Sequence, residues 1–136
     1  LNLYHTRALI FGTGGASKAI AFVLKDLGIP FYYVSRSPKS KKEIRYEDLD
    51  KISIASFRFL INCTPMGTFP DVEKMIPIDV EGIGNRHLVY DLVYNPEETL
   101  LLKKAKEKGA IAVNGLSMLR IQAEESWRIW KASTTI

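Results

Sequence analysis

The chain has 136 residues, a length that suits one folded domain. Apolar residues make up 46% of it and charged residues 25%, which excludes a disordered chain, a collagen-like chain and a disulfide-bonded miniature fold. No apolar run approaches the roughly 18 residues that cross a bilayer. The single cysteine, Cys63, cannot form an internal disulfide, which favours a reducing compartment and predicts a cytoplasmic location. The net charge is +4, and the basic residues are clustered: one ten-residue window contains Arg36, Lys39, Lys41, Lys42 and Arg45.

The first third of the chain predicts a strand, a glycine loop, a helix and a second strand. Arg7–Phe11 is a short apolar run that stops at Gly12, and Lys18–Leu27 has helical spacing and ends at Gly28. The predicted apolar face of this helix comprises Ala19, Ile20, Phe22, Val23 and Leu27. Phe31–Val34 is rich in β-forming residues. Strand, helix and strand in this order form a βαβ unit, which predicts a parallel sheet.

The rest of the chain continues the alternation of strands and helices. The predicted elements are an edge strand at Ile44–Tyr46, a helical turn at Glu47–Lys51, strands at Phe59–Cys63, His87–Asp91 and Ala110–Val113, a helix at Glu97–Lys108 and a last helix from Gly115 to about Ala132. The stretch Phe69–Arg86 is expected to be irregular because glycines and prolines interrupt it. The fold class predicted is one α/β domain of Rossmann-like type, with a doubly wound, mostly parallel sheet between two helical layers.

The glycine loop is the first candidate binding feature. Gly12-x-Gly14-x-x-Ser17 nearly matches the dinucleotide fingerprint, with serine in place of the third glycine, and it lies between a strand and a helix as that fingerprint requires. Gly12 permits the tight turn, and Gly14 lets the backbone approach a pyrophosphate. The helix that follows offers free N–H groups to that anion. A tight strand-to-helix turn without a ligand remains the alternative.

A basic residue follows the second strand, where dinucleotide folds contact the adenosine ribose. An acidic residue at this position selects NAD, but here the residues are Ser35-Arg36-Ser37, with Lys39 and Lys41 nearby. A guanidinium pairs well with a 2′-phosphate, so the sequence predicts NADP in preference to NAD. No aromatic side chains are interleaved with these cations, which disfavours a nucleic-acid patch. A solvated basic loop is the alternative, and Lys42 and Arg45 are assigned to it.

The remaining polar candidates are judged by which end of a strand they occupy. Ligands of open α/β sheets bind at the carboxyl ends of the strands, where Thr64–Gly67 and Leu92–Tyr94 are predicted to lie. His5 and His87 fall at the opposite ends, so neither is a good catalytic candidate. Asp91 is expected to anchor the turn before Pro96 rather than to move a proton. The sequence predicts no metal site.

Five segments, in order and spanning residues 8 to 130, resemble the C-terminal NADP-binding domain of shikimate dehydrogenase. They are the loop Gly12–Ala19, the turn Ser35-Arg36-Ser37, the segment Ile61–Gly67, the run Asp91–Thr99 and the stretch Gly115–Ala123. The last two are similar to the family's Asp-x-x-Tyr-x-Pro-x-x-Thr and Gly-x-x-Met-Leu-x-x-Gln-Ala patterns. The family's enzymes reduce 3-dehydroshikimate to shikimate reversibly with NADPH, on the route to aromatic amino acids.

The resemblance implies a role for each matching position. The implied cofactor-binding residues are Gly12, Thr13, Gly14, Gly15 and Ala16 for the pyrophosphate, Ser35, Arg36 and Ser37 with Lys39 and Lys41 for the 2′-phosphate, and Leu92 and Gly115 for the nicotinamide end. Asn62 and Thr64 would line the cleft. Tyr94 and Gln122 would reach the bound shikimate, and the small-molecule substrate is the partner implied, with neither nucleic acid nor membrane.

The resemblance also implies that part of the enzyme is missing from this chain. In the family, a catalytic Lys–Asp pair and most substrate contacts come from an N-terminal α/β domain, and Leu1 starts about where the interdomain connection would end. We therefore expect residues 1–136 to be an NADP-binding domain with no catalytic residue of its own. The apolar face of the last helix would then be exposed and prone to self-association; it comprises Leu116, Leu119, Ile121, Trp127 and Trp130.

Three other readings stay open at this point. The chain could come from a relative that uses quinate as well as shikimate. It could come from another oxidoreductase with a similar cofactor domain, such as methylene-tetrahydromethanopterin dehydrogenase or glutamyl-tRNA reductase, although Tyr94 and Gln122 in their motifs argue against this. It could also be a stand-alone NADP-sensing module without catalysis. The sequence upstream of Leu1 in the gene would distinguish these readings.

Overall fold

The computed structural model describes residues 6–116, in which six parallel strands form one open sheet. The strands are β1 (Ala8–Phe11), β2 (Phe31–Ser35), β3 (Glu43–Arg45), β4 (Phe59–Asn62), β5 (Leu88–Asp91) and β6 (Ile111–Asn114). The helices are α1 (Gly15–Asp26), α2 (Lys51–Ser56) and α3 (Leu100–Glu107), with single 3₁₀ turns at Tyr46–Asp48 and Val80–Gly82. In this part of the chain no helix is long and apolar enough to span a membrane.

The strand order is β3-β2-β1-β4-β5-β6, so the direction of winding reverses between β1 and β4. Ala8 of β1 is in register with Phe31 of β2 on one side and with Phe59 of β4 on the other. The loops that leave the carboxyl ends of β1 and β4 therefore diverge and open a crevice between them. That crevice is the place where open α/β sheets bind ligands.

The sheet is buried on both faces at its centre, as the apolar run at residues 8–11 predicts. All four residues of β1 are fully buried. Leu9 and Phe11 pack with residues of α2 and α3, whereas Ala8 and Ile10 pack with Ala21 and Leu24 of α1. These two apolar clusters place α1 on one face and α2 and α3 on the other. The structure thus confirms the predicted doubly wound fold, and every strand pair in it is parallel.

Helix α1 differs from the prediction in its start and in its buried face. It begins at Gly15, within the glycine loop, and buries Ser17, Ala21 and Leu24. Phe22, expected on the buried face, is 74% exposed, and Val23 and Leu27 are also exposed. Ser17 and Ala21 are small because the dinucleotide loop brings the start of the helix close to β1, and the position of Ser17 in the fingerprint serves this close packing. Of the predicted apolar face only Ile20 packs against the core, and the prediction was wrong for Ala19, Phe22, Val23 and Leu27.

Two other boundaries moved because short polar side chains begin helices. Helix α2 occupies 51–56, beyond the turn predicted at 47–51, because the Asp50 carboxylate accepts a hydrogen bond from the Ser53 N–H (2.8 Å) and caps the helix. Helix α3 begins at Leu100 rather than at Glu97, because the Thr99 hydroxyl accepts from the Leu102 N–H. The short edge strand was confirmed as β3. Most of the last predicted helix lies outside the described residues.

Candidate cofactor site

The glycine loop meets the geometric requirements of an anion cradle. Gly12 has a φ of +109°, and a Cβ there would come within 3.2 Å of the Thr64 methyl group, so glycine lets the loops after β1 and β4 approach each other. A Cβ at Gly14 or Gly15 would meet nothing within 4 Å, which leaves open space above the loop. No side chain caps the start of α1 and its first turn holds no acidic residue. Its terminal N–H groups are thus available to a pyrophosphate.

A polar pocket of about 760 Å³ adjoins this loop and collects most of the residues predicted for a 2′-phosphate. Its lining comprises Thr13, Lys18, Tyr33, Ser35, Arg36, Ser37, Lys39, Ser40 and Glu43. The three cationic side chains and the one carboxylate in this set give it an excess of positive charge. Lys41, also predicted to contribute, is exposed and lies outside the lining. Lys42 instead places its ammonium group 4.7 Å from the centre of the Phe31 ring.

A second pocket, of about 460 Å³ and mainly apolar, also has Arg36 in its lining. Tyr46, Thr64, Met66, Ile76 and Pro77 are among the residues that line it. Burial raises the pKa of the Tyr46 hydroxyl, and the charge of Arg36 opposes that rise. The Tyr46 ring also stacks on Phe11, with ring centres 6.0 Å apart. This pocket suits a flat, largely uncharged group next to a guanidinium.

Asn62 does not line the cleft, contrary to the prediction. Its side chain is 1% exposed and its amide is fully engaged: the carbonyl oxygen accepts from the Thr64 N–H (3.0 Å) and hydroxyl (2.6 Å), and the NH₂ group donates to Asp91 (3.0 Å) and to the Thr64 carbonyl (3.4 Å). Asn62 therefore fixes the loop after β4 and holds Thr64 in place. Thr64 itself lines both the apolar pocket and the cleft.

Asp91 is the buried anchor that the sequence predicted. One carboxylate oxygen accepts from the Val93 N–H (3.1 Å) and from Asn62, and the other accepts from the Thr99 hydroxyl (2.7 Å). Burial raises the pKa of Asp91, while the hydrogen bonds from Thr99, Val93 and Asn62 lower it. These contacts tie β4, β5 and the start of α3 together. Both carboxylate oxygens are thus occupied by hydrogen bonds within the protein.

A cleft of about 430 Å³ separates the glycine loop from the loops after β4 and β5. It is lined by Ala16, Cys63, Thr64, Pro65, Thr68, Leu92, Val93, Tyr94 and Asn95. The structure thus brings together Ala16, Thr64, Leu92 and Tyr94, which were all predicted as site residues, and the Tyr94 side chain is exposed. This lining, drawn from residues 6–116, holds no lysine, histidine or carboxylate. Gln122 and His5 lie outside the described residues.

Gly115 owes its identity to close packing beside the cleft. A Cβ at this position would overlap the carbonyl group of Leu92, and the Gly115 N–H donates to the Val93 carbonyl at 3.3 Å. The loop after β6 is therefore held against the loop after β5.

His87 lies at the opposite end of the strands and is 5% exposed. Both of its ring nitrogens have hydrogen-bond partners: Nδ1 accepts from the Gly84 N–H, and Nε2 lies 2.9 Å from the Ile54 carbonyl oxygen.

Sequence reasoning missed Lys18, Glu43 and Tyr46. Lys18 follows Ser17 on the first turn of α1, and its position at the mouth of the polar pocket depends on the helix beginning at Gly15. Glu43 and Tyr46 lie in a polar stretch with no periodic pattern. The parallel pairing of β3 with β2 sets Glu43 opposite Tyr33, and from there its side chain reaches the Ser35 hydroxyl; the sequence pattern does not show this pairing.

The open parallel sheet, with its glycine loop at the reversal of strand order, defines a dinucleotide-binding fold of the Rossmann type. No family model matches the sequence. Among curated proteins the chain is similar to shikimate dehydrogenase (NADP(+)) of Methanococcus aeolicus, with 37% identity over 134 residues, covering 90% of this chain and 48% of that protein. The enzyme of the same name from Carboxydothermus hydrogenoformans is 34% identical, covering 91% and 49%.

Solved structures give the same picture. A chorismate mutase/shikimate 5-dehydrogenase fusion protein from Clostridium acetobutylicum matches with a TM-score of 0.77 and 36% identity, over 96% of this chain and 49% of that one. The shikimate 5-dehydrogenase of Thermus thermophilus, solved with NADP(H) and shikimate, matches with a TM-score of 0.77 and 30% identity, over 92% and 49%. The resemblance to shikimate dehydrogenase is confirmed. The chain spans about half the length of the curated relatives that it matches.

Proposed function

We propose that this chain is the NADP(H)-binding domain of a shikimate dehydrogenase, which interconverts 3-dehydroshikimate and shikimate. The observation that carries the proposal is the position of Arg36, at the end of β2 and in the polar pocket beside the glycine loop. An NAD-specific fold has a carboxylate at this point. The relatives named for NADP(+), and the Thermus thermophilus structure solved with NADP(H), support this choice of cofactor.

The residues present fit this cofactor along its length. The backbone of Gly12–Ala16 and the first turn of α1 would hold the pyrophosphate. Ser35, Arg36, Ser37 and Lys39 would hold the 2′-phosphate, and each charge-assisted hydrogen bond is worth about 1.5–3 kcal/mol. The apolar pocket, which Arg36 also lines, would take the adenine ring, with Tyr46 as one wall.

The cleft would receive the nicotinamide end, near Leu92 and Gly115, and the bound cofactor supplies hydride chemistry there. Tyr94, and Gln122 beyond the described residues, would contact the substrate. Reduction of a carbonyl also needs a proton donor within hydrogen-bonding reach. The cleft lining in residues 6–116 has no lysine, histidine or carboxylate for this task. We therefore propose that a further part of the enzyme supplies the proton.

We also propose that the protein works in the cytoplasm, because a single cysteine that stays reduced fits that compartment.

The cofactor assignment is tested by titrating NADP and NAD into the wild type and Arg36→Ala. We expect the wild type to bind NADP ten to a hundred times more tightly than NAD, because two charge-assisted bonds to the phosphate are lost with NAD. Arg36→Ala should bring the two affinities close together. Arg45→Ala removes the same charge from an exposed residue outside the pocket lining and should change neither affinity. Equal wild-type affinities for NADP and NAD would refute the assignment.

A cofactor-binding module without catalysis is the second candidate, and the described cleft lining, which holds no lysine, histidine or carboxylate, is compatible with it. It makes the same prediction for Arg36. The two candidates differ in whether the gene encodes a substrate domain upstream of Leu1.

A further inference from the structure

We propose that Glu43 is a positioning residue: its carboxylate fixes the loop 36–42, which carries Arg36, and thereby sets the preference for NADP over NAD. This inference rests on the proposed function and assigns a specificity role to a residue of the same site. Glu43 itself would not touch the phosphate. Its effect would pass through the conformation of the loop.

The loop 36–42 joins two strands in an unusual way. β2 and β3 are parallel neighbours, with Tyr33 opposite Glu43 and Ser35 opposite Arg45. Parallel neighbours are usually connected by a crossover of a dozen or more residues, most often through a helix. Here residues 36–42 alone carry the chain back along β2, and they contain no helix or strand. Two backbone hydrogen bonds close the far end of this loop, from the Tyr33 N–H to the Lys42 carbonyl (2.8 Å) and from the Glu43 N–H to the Ser40 carbonyl (3.2 Å), and side chains supply further hydrogen bonds to it.

Glu43 supplies those hydrogen bonds at three points. Its Oε1 accepts from the Ser35 hydroxyl (3.2 Å), and its Oε2 accepts from the Lys39 N–H (3.2 Å) and the Ser40 hydroxyl (3.3 Å). The Ser40 hydroxyl in turn accepts from the Lys42 N–H (3.3 Å). One carboxylate therefore ties the end of β2, the middle of the loop and the start of β3 together. Arg36 lies directly between the tied points Ser35 and Lys39.

A carboxylate in this pocket could instead oppose a phosphate by charge or accept the ribose hydroxyls, as in an NAD site. The contacts favour positioning, because both oxygens of Glu43 already accept hydrogen bonds from the loop and from Ser35. Within residues 6–116, neither Glu43 nor Arg36 forms an ion pair. The guanidinium is thus left for an incoming anion, while the carboxylate is turned to the loop.

The test compares the affinities of Glu43→Ala and the wild type for NADP and NAD in the 136-residue chain. We expect the Kd for NADP to rise about tenfold and the Kd for NAD to change less than twofold, because only NADP uses the ordered loop. Glu47→Ala is the matched control, since Glu47 is an exposed carboxylate on the turn after β3. It should leave both values unchanged. A Glu43→Ala variant that binds NADP as well as the wild type, or better, would overturn the positioning role.

A double-mutant cycle shows whether Glu43 acts through Arg36. In the Arg36→Ala background, Glu43→Ala should change the Kd for NADP less than twofold, and an undiminished tenfold loss would contradict the proposal. Glu43→Gln keeps one acceptor oxygen and should therefore retain part of the preference for NADP. It is the variant to measure if Glu43→Ala folds poorly. No recovery in a Glu43→Gln variant with wild-type thermal stability would count against hydrogen bonding as the cause.

The free protein gives an independent readout. Hydrogen exchange at the Lys39 amide should be slow in the wild type and fast in Glu43→Ala, and equal rates would refute the loop contact. Failure of the proposed function looks different, because the wild type would then bind NADP no better than NAD whatever stands at position 43. A wild-type preference that Glu43→Ala leaves intact would defeat the positioning role alone.

Discussion

At the scale of single residues, the sequence showed which polar side chains lie near the site better than it showed whether each one faces a pocket or the protein interior. Arg36 lines the polar pocket beside the glycine loop, and Thr64 lines the cleft, as the sequence predicted for Thr64. Asn62 comes from an equally specific motif and yet is buried, because its amide forms three hydrogen bonds with Thr64 in the loop after β4 and one with Asp91 at the end of β5. A residue that contacts a ligand and a residue that anchors the loop would both lie here, at the end of β4. Only the hydrogen-bond partners of the Asn62 amide show that it is an anchor.

Cys63 gives a residue-scale prediction, since it is the only cysteine in the chain. Burial, and to a lesser extent the charge of Asp91, raise the pKa of its thiol to about 12. At pH 8 the native thiolate fraction would be about 10⁻⁴, against about a quarter for an unfolded thiol with a pKa of ~8.5. We expect a disulfide reagent to react with the native protein about a thousand times more slowly than with the urea-unfolded chain.

The same shift has a consequence for stability, because the native state holds the thiol proton more tightly than the unfolded state does. This contribution is present below pH ~8.5 and is lost as the pH rises from there toward 12. Cys63→Ser, which has no thiol to ionise, should lose less stability over that range. If Cys63 in the native protein reacted with the disulfide reagent as fast as in the unfolded chain, that result would contradict the raised pKa of its thiol.

At the scale of elements, the distance between helix α1 and the sheet determines which face of the helix is buried, and hydrophobic periodicity did not predict that face. The residues 19–27 carry enough apolar side chains for more than one face, and the sequence favoured the face with the larger ones. The structure buries Ser17, Ala21 and Leu24 instead, and Ser17 donates to the Gly14 carbonyl (2.6 Å). A helix that starts inside a glycine loop lies close to its strand at that end, where Ser17 and Ala21 are small, and the larger Leu24 is buried further along the helix.

Gly82 gives an element-scale prediction at the contact between the 3₁₀ turn Val80–Gly82 and α2. A Cβ at Gly82 would come within 2.5 Å of the Lys51 carbonyl oxygen and 2.7 Å of Ile54 Cβ. Gly82→Ala should therefore lower the free energy of unfolding by about 1–3 kcal/mol, because backbone must shift to admit the methyl group. Gly84→Ala is the matched control, since a Cβ there meets nothing within 4 Å. Equal urea midpoints for the two variants would contradict this packing.

At the scale of the whole molecule, the chain corresponds in length to half of a shikimate dehydrogenase. The described residues hold the glycine loop, the polar and apolar pockets and one wall of a cleft, and the lining of that cleft contains no lysine, histidine or carboxylate. The predicted self-association through the last helix depends on residues outside the described range and stays a prediction.

We expect the 136-residue chain to reduce NADP with shikimate at a negligible rate, measured by the appearance of NADPH absorbance. Loss of a positioned proton-transfer group alone costs about 10²–10⁴-fold, and most substrate contacts would be missing as well. The full-length Thermus thermophilus shikimate 5-dehydrogenase, assayed in parallel, should show normal turnover. A measurable shikimate-dependent rate from the 136-residue chain would refute the assignment of the proton donor to another part of the enzyme.

The sequence by itself determined the fold class and the cofactor chemistry, because both follow from local patterns. A buried strand, a glycine loop and a helix specify the phosphate cradle, and Arg36 after the second strand specifies a positive charge beside it. Tertiary structure alone decided which side chains surround that charge. Glu43 meets Ser35 only because β3 pairs with β2, and Asn62 meets Asp91 only because β4 pairs with β5. Such contacts depend on strand pairing and register, which single-sequence periodicity does not encode.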